Sequence, residues 1–340
     1  MLIDRFLGIG REFLGCKYPI MCGAMTWVSE PKLVSAMGNC GGFGLLAGGN
    51  APVEVLKSQI LETREMTDHP FGANLITLAP AYKDQLNLVC NMECEFIVFA
   101  GGIPKKNEIQ QAKKAGAKVI CFASTAPLAI MLIERGADAL ILEGSEAGGH
   151  IGPVALSVLI QQILFEVDSV PIFIAGGIAT GRMMAHLLMM GAAGIQMGTR
   201  FVMSEECIAH PLFKEVFKRA KARDAMATPQ FDSRLPVIPV RALKNEGIIE
   251  FGKLQLELLH KLDNCLIDRE QAQYAAERFW IGALKNAVID GDVTKGSLMA
   301  GQSVGLVDKV KPLKGIIDEM IDDAESELQR LLQAINEAKA

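Results

Sequence analysis

Leu140-Ile141-Leu142 followed by Glu143-Gly144-Ser145-Glu146-Ala147-Gly148-Gly149-His150 is the first of three apolar runs within residues 140–201 that end in small or polar residues. The second is Pro171-Ile172-Phe173-Ile174 followed by Ala175-Gly176-Gly177, and the third is Gly194-Ile195-Gln196-Met197 followed by Gly198-Thr199-Arg200-Phe201. Short apolar runs bounded by glycine predict strands buried on both faces, as a parallel sheet covered by helices requires. In a closed parallel barrel the C-terminal strand ends share one rim. A phosphate typically sits there between the loops after the seventh and eighth strands. Gly176-Gly177 and Gly198-Thr199 occupy those two loops, where glycine lets backbone N–H groups approach an anion and Thr199 adds a hydroxyl. A single such pair is an ordinary tight turn; two in successive loops predict a phosphate-bearing ligand. His150 stands on the neighbouring loop.

Working outward, residues 19–22 read as a first strand ending in Gly23-Ala24-Met25, and residues 41–47 as a second ending in Gly48-Gly49-Asn50. A third covers 71–75, with the Asn74 amide pointing to the rim, and a fourth covers 95–100 before Gly101-Gly102. A weak repeat follows. Lys114-Ala115-Gly116-Ala117 precedes strand five, Glu134-Arg135-Gly136-Ala137 precedes strand six and Met190-Gly191-Ala192 precedes strand eight, each glycine standing where a helix ends in left-handed backbone. Eight strands alternating with helices predict an α/β chain folded as a (β/α)8 TIM barrel. An open doubly wound sheet is the competitor, and the glycine clusters after nearly every strand favour the barrel.

Beyond Ser204 the texture changes. Phe213, Val216, Phe217 and Ala220 fall on one face of a helix, with Lys214, Lys218 and Lys221 opposite as a solvated face. A loop bearing Pro229, Pro236 and Pro239 leads to helices over about 250–264 and 269–289, a small helical cap over the barrel mouth. The division expected is a barrel over 1–222, a cap over 223–295, and a return segment with a C-terminal helix over 296–340. That helix carries Ile316, Ile317, Met320, Ile321, Leu328, Leu331 and Leu332 on one face, packed on the barrel or used for homodimerisation.

Half of the 340 residues are hydrophobic, enough for a large core, and a net charge of −5 argues against nucleic acid as a partner. No apolar run reaches the length of a membrane span, and charged residues interrupt the N-terminus, so no membrane association is expected and a cytoplasmic location is. The eight cysteines form no CxxC pair, and no histidine stands near Cys90 and Cys94, so free buried thiols and no metal site are expected.

Residues 143–152 (EGSEAGGHIG), 174–181 (IAGGIATG), 195–201 (IQMGTRF) and 297–307 (SLMAGQSVGLV) together resemble the nitronate monooxygenase (2-nitropropane dioxygenase-like) superfamily of FMN-dependent barrels. Gly48-Gly49-Asn50-Ala51-Pro52, residues 239–245 (PVRALKN) and 282–301 resemble its type II enoyl-acyl-carrier-protein reductase branch. The resemblance implies FMN at the rim. Gly23, Ala24 and Met25 would lie along the flavin ring, although relatives often carry a second glycine where Ala24 stands, and Asn74 would hydrogen-bond it. Gly148, Gly149, Ala175, Gly176, Gly177, Gln196, Met197, Gly198 and Thr199 would surround the ribityl chain and phosphate. Met299 and Gln302 would approach from the cap, and Glu143 would reach the cofactor or orient its loop.

His150 is the residue expected to carry chemistry, because imidazole exchanges protons readily near neutral pH. The other reading of His150 is a hydrogen bond within a tight loop. His69, His186 and His260 are expected to be structural or surface residues, and His210 to mark a helix entry.

The resemblance implies NAD(P)H-dependent reduction of trans-2-enoyl thioesters in fatty acid synthesis, with acyl carrier protein attracted by the lysine row if that row borders the mouth. The alternatives are a nitronate monooxygenase passing electrons to oxygen and a non-catalytic flavin-binding or assembly protein. A flavin-free barrel acting on a nucleotide, as in inosinate dehydrogenases, is disfavoured because no cysteine stands in an evident catalytic loop.

Overall fold

The computed structural model describes residues 1–338 except Asn50, Pro229 and 236–238. Two prolines of the proline-bearing loop, and Asn50 after the second strand, therefore lie outside the described residues. The strands are β1 (Ile20–Cys22), β2 (Phe43–Ala47), β3 (Phe71–Ile76), β4 (Phe96–Ala100), β5 (Lys118–Ala123), β6 (Ala139–Glu143), β7 (Gly149–His150), β8 (Ile172–Ala175), β9 (Gly194–Met197), β10 (Ala225–Ala227) and β11 (Val240–Leu243). β1-β2-β3-β4-β5-β6-β8-β9 close into a parallel barrel, β9 pairing back onto β1 with Gln196 opposite Met21. That closure decides for the (β/α)8 barrel and against the open sheet.

Side chains of a strand alternate between two environments. Met21, Phe43, Leu45, Phe96, Val98, Ile120, Ile141 and Phe173 fill the barrel interior, with Phe43 and Phe96 edge to face at 4.9 Å. Leu14 and Cys16 join that inner cluster, and Lys118, at the start of β5, donates to the Phe13 carbonyl at 2.7 Å. The barrel is thus closed at its N-terminal end. The alternate residues, among them Ile20, Leu46, Leu75, Phe99, Leu140, Ile174 and Met197, belong to the outer core under the helices.

The helices are α1 (Gly8–Leu14), α2 (Pro31–Asn39), α3 (Val53–Met66), α4 (Tyr82–Asn91), α5 (Lys106–Lys114), α6 (Ala126–Arg135), α7 (Leu156–Leu159), α8 (Gly181–Met189), α9 (Thr199–Val202), α10 (Pro211–Arg219), α11 (Glu246–Asp263), α12 (Arg269–Val288) and α13 (Leu313–Glu337). α11 begins four residues before its sequence-based start because Asn245 caps it, accepting from the Ile248 N–H at 3.4 Å. Among the described residues no helix is long and apolar enough to cross a membrane.

α13 lies against α8 through Ile316, Ile317, Met320, Ile321, Ala324 and Leu328. The helices touch at backbone distance: a Cβ on Gly181 would stand 1.9 Å from the Met320 carbonyl oxygen. Glu327 is buried there and takes hydrogen bonds from Arg330 at 2.7 and 2.9 Å, with His186 Nε2 at 2.9 Å, which accounts for His186 as a structural residue. Leu332, grouped with the packed face by periodicity, is exposed.

The lysine row is a correction. Lys214 is half-buried, its ammonium donating to the Ser204 and Cys207 carbonyls at 2.6 and 2.7 Å, and burial pushes its pKa below the ordinary lysine value. Lys218 is tied to Glu215. Lys214 thus clamps the preceding loop, while Lys218 stays partly exposed and Lys221 faces water as the periodicity implied.

α11 and α12 pack on each other through Phe251, Leu258, Ala276 and Trp280, with the Phe251 and Trp280 rings 4.4 Å apart. A second sheet, β10-β11-β7, joins them to the rim: β11 runs antiparallel to both neighbours, with Val240 opposite His150 and Arg241 opposite Gly149.

Candidate active site

The inward parity of the barrel strands continues to the rim. There the inner residues become Asn74 on β3, Glu143 on β6, Ala175 on β8 and Gln196 on β9, above the layer of Phe96, Ile141 and Phe173. Register links them around the wall, Glu143 opposite Ala175 and Ala175 opposite Gln196. Asn74 is 5% exposed and its amide has no protein partner among the described residues. The buried Gln196 Oε1 has none either. Glu143 lacks a hydrogen-bond partner among the described residues, and burial pushes its carboxyl up to about 8. Buried polar groups are nearly always satisfied, so buried Asn74 and Gln196 with half-buried Glu143 on one inner wall mark a place where a ligand completes the bonding.

A raised carboxyl has a consequence for stability. Below about pH 4.5 the carboxyl is protonated in folded and unfolded chains alike; above about 8 it is ionised in both, and the folded chain bears the full desolvation cost. Between those limits the folded state holds the extra proton, so stability of the flavin-free protein falls as pH rises. Glu143→Gln removes that slope. Urea midpoints at pH 5 and pH 9 test this, and wild type and variant changing in parallel would refute it.

The two glycine turns flank this wall. Gly176 and Gly177 have φ of +92° and +71°, left-handed values that L side chains rarely adopt. The N–H groups of Gly176, Gly177, Gly198 and Thr199 find no acceptor among the described residues. Thr199 Oγ1 accepts from the Gly301 N–H at 2.9 Å, and Gln302 N–H donates to the Glu146 carbonyl at 2.9 Å, so the return segment is stitched onto the same loops. Beside Gly177 a cavity of about 410 Å³ is lined by Glu146, Lys221, Gln302 and Ser303.

Other expected residues are placed as follows. A Cβ on Gly23 would stand 3.2 Å from the Gln196 side chain and one on Gly198 3.2 Å from Met25 Sδ, so Gly23, Ala24 and Met25 run along the rim between those two loops. Met197 faces the outer core, and only its carbonyl, accepting from Gly23 N–H at 3.0 Å, is at the rim. Gly148 abuts the return segment, where a Cβ would meet Gly301 N at 2.4 Å; Met299 Sδ lies 3.7 Å from the Cβ position of Gly149. Met299 and Gln302 arrive on that return segment, after the cap helices. The Gln302 side chain is exposed.

His150 does not belong to the ring of Asn74, Glu143 and Gln196. It stands half-exposed in the second sheet, and its Nε2 lies 3.0 Å from Glu277 Oε2 of α12. His210 caps α10, Nδ1 accepting from the Leu212 N–H at 3.2 Å. His69 and His260 are exposed.

Sequence reasoning missed several supports. Arg241 donates to the Ser145 carbonyl at 2.9 Å and the Ala225 carbonyl at 2.7 Å, tying the β6 loop to the second sheet; its place within PVRALKN was the available signal. Gln85 Nε2 donates to the Ala51 carbonyl at 2.8 Å, and Ser29 Oγ to the Gly23 carbonyl at 2.7 Å, bracing two further rim loops. Glu277 gave no signal as one of two glutamates in its helix.

The profile of the nitronate monooxygenase family matches residues 10–88 and 78–323, and the chain belongs to that family. It is a flavin oxidoreductase. A Rhodococcus jostii relative, a (3aS,4S,5R,7aS)-5-hydroxy-7a-methyl-1-oxo-octahydro-1H-indene-4-carboxyl-CoA dehydrogenase, is 31% identical over 334 residues, covering 92% of this chain and 94% of its own. A probable nitronate monooxygenase of Staphylococcus saprophyticus is 27% identical, covering 93% and 97%. Among solved structures, FabK from Thermotoga maritima superposes with a TM-score of 0.85 at 34% identity, covering 95% and 98%.

Proposed function

We propose that this chain is an FMN-dependent reductase of 2-enoyl thioesters, taking its electrons from NAD(P)H. The observation that carries the cofactor reading is the partnerless set of Asn74, Glu143 and Gln196 on the inner wall, next to the unaccepted N–H groups of Gly176, Gly177, Gly198 and Thr199. The amides and carboxyl suit the polar edge of an isoalloxazine ring. The N–H groups suit a single phosphate, as FMN carries. The thioester reading is supported by two of the relatives above 30% identity, the Rhodococcus jostii protein, named for a CoA thioester, and FabK.

When bound, the flavin supplies hydride transfer; the chain positions, protonates and excludes water. Asn74 and Gln196 would orient the ring and the glycine turns would hold the phosphate. His150 would deliver the proton that the α-carbon gains. Coenzyme A or acyl carrier protein would bear the acyl group, and Lys214, spent on the Ser204 and Cys207 carbonyls, is not available to dock an acidic carrier.

The experiment is anaerobic reduction of the purified protein by NADH or NADPH, followed by reoxidation with crotonyl-CoA or with propionate 3-nitronate. Bleaching at the flavin band by pyridine nucleotide, reversed by crotonyl-CoA, is the expected result. No bleaching, with oxygen uptake on nitronate, would transfer the assignment to nitronate oxidation, which the family match and the staphylococcal relative support. His150→Ala should lower kcat/KM for the thioester about 10²-fold or more, the usual scale of general acid catalysis, with flavin content unchanged.

A further inference from the structure

We infer that Glu277 of the cap helix α12 is the positioning residue for His150, so that the proton-delivering imidazole is set only when the cap is seated on the rim. This rests on the thioester reduction proposed above. His150 and Glu277 are far apart in sequence and come from different layers, the imidazole from the rim-side strand β7 and the carboxylate from a helix of the cap. Their side chains nevertheless meet at 3.0 Å.

β7 itself is fixed on its other edge, where Val240 pairs with His150 and Arg241 with Gly149. The backbone of His150 is therefore set by a sheet, and among the described residues Glu277 is the one side chain hydrogen-bonded to its ring. A carboxylate only accepts hydrogen bonds, so the ring nitrogen facing it carries the proton. Nε2–H is held on Glu277, and Nδ1 is left as the nitrogen that exchanges a proton with solvent and substrate. The balance is simple. The β-carbon of the enoyl thioester receives a hydride whose electrons come from the pyridine nucleotide by way of the flavin. The α-carbon receives the Nδ1 proton, and imidazolium becomes the neutral Nε2–H ring, which water then reprotonates. Orientation of an acid by a second group is the logic of histidine dyads and triads in general.

The test uses flavin-loaded protein with 15N-labelled histidine, comparing wild type, Glu277→Ala and Glu277→Gln. In wild type the neutral His150 ring should give the nitrogen shifts of a single tautomer protonated at Nε2. In Glu277→Ala they should move toward the average of two tautomers, and kcat for crotonyl-CoA should fall about tenfold with KM within twofold. Glu277→Gln keeps an acceptor oxygen and the shape of the site, so it should hold the tautomer and recover part of kcat. Unchanged His150 shifts in Glu277→Ala, or wild-type turnover in both variants, would overturn the inference. If no thioester is reduced at all, the nitrogen shifts still report the dyad, so its failure and that of the proposed activity are read separately.

Discussion

Gly176→Ala should yield protein that folds and elutes normally but loses its yellow colour on desalting. At φ +92° a side chain is already strained, and the added Cβ would stand 3.0 Å from the Gly144 carbonyl oxygen and 3.1 Å from its nitrogen, backbone atoms that have no rotamer to change. The turn must shift, and the N–H groups of Gly176 and Gly177 shift with it. Strain of this kind costs on the order of 1–3 kcal/mol. At about 1.4 kcal/mol per factor of ten, flavin affinity should fall roughly tenfold to a hundredfold. Reconstitution of apoprotein with FMN, followed by quenching of flavin fluorescence, measures it. Riboflavin serves as the control: if the turn holds the phosphate, riboflavin affinity should change far less than FMN affinity. Equal losses for both would remove the phosphate from these loops.

Gly181→Ala should be the most damaging single methyl group outside the site. Its Cβ would fall 1.9 Å from the Met320 carbonyl oxygen and 2.8 Å from Ala324 N, so α13 must leave its seat on α8. Overpacking a tight contact typically costs about 1–3 kcal/mol, and here the obstructing atoms are backbone, which puts the expected loss at or above the upper end. A lowered urea midpoint together with new proteolytic cleavage within 313–337 is the expected outcome. A midpoint within experimental scatter of wild type would mean that the two helices do not approach this closely in solution.

The barrel was legible because its signal is local and repeated. Each strand of the rim-bearing half is a short apolar run with glycine at its end, and the structure ends β6, β8 and β9 within a residue of those readings. The inward parity of Asn74, Glu143 and Gln196 also follows from period two once the strands are placed. What was not read is set mostly by neighbours outside each element. A helical wheel puts Lys214 on the polar face of α10 but is blind to the Ser204 and Cys207 carbonyls waiting beside it. Met197 sits within the IQMGTRF motif, yet alternation turns its side chain to the helices and leaves Gln196 inside. Glu277 is an exposed helical glutamate until the fold carries it to His150. Arg241 looked like part of a motif without a task; its guanidinium spans the carbonyl of Ser145 in the loop after β6 and that of Ala225 at the start of β10.

The antiparallel pairing of β11 with β7 has a bearing on how new specificities would be engineered. Because the roof over the mouth is hydrogen-bonded to the very loop that carries the imidazole, it cannot be exchanged as a detachable module. A chimera that imports another member's helices 246–288 while keeping the native 149–150 and 240–243 should keep the His150 ring in place only if the donor helix brings a carboxylate to the position of Glu277. One that also replaces 240–243 must restore the backbone partners of Gly149 and His150 before any change in substrate preference can be attributed to the new roof.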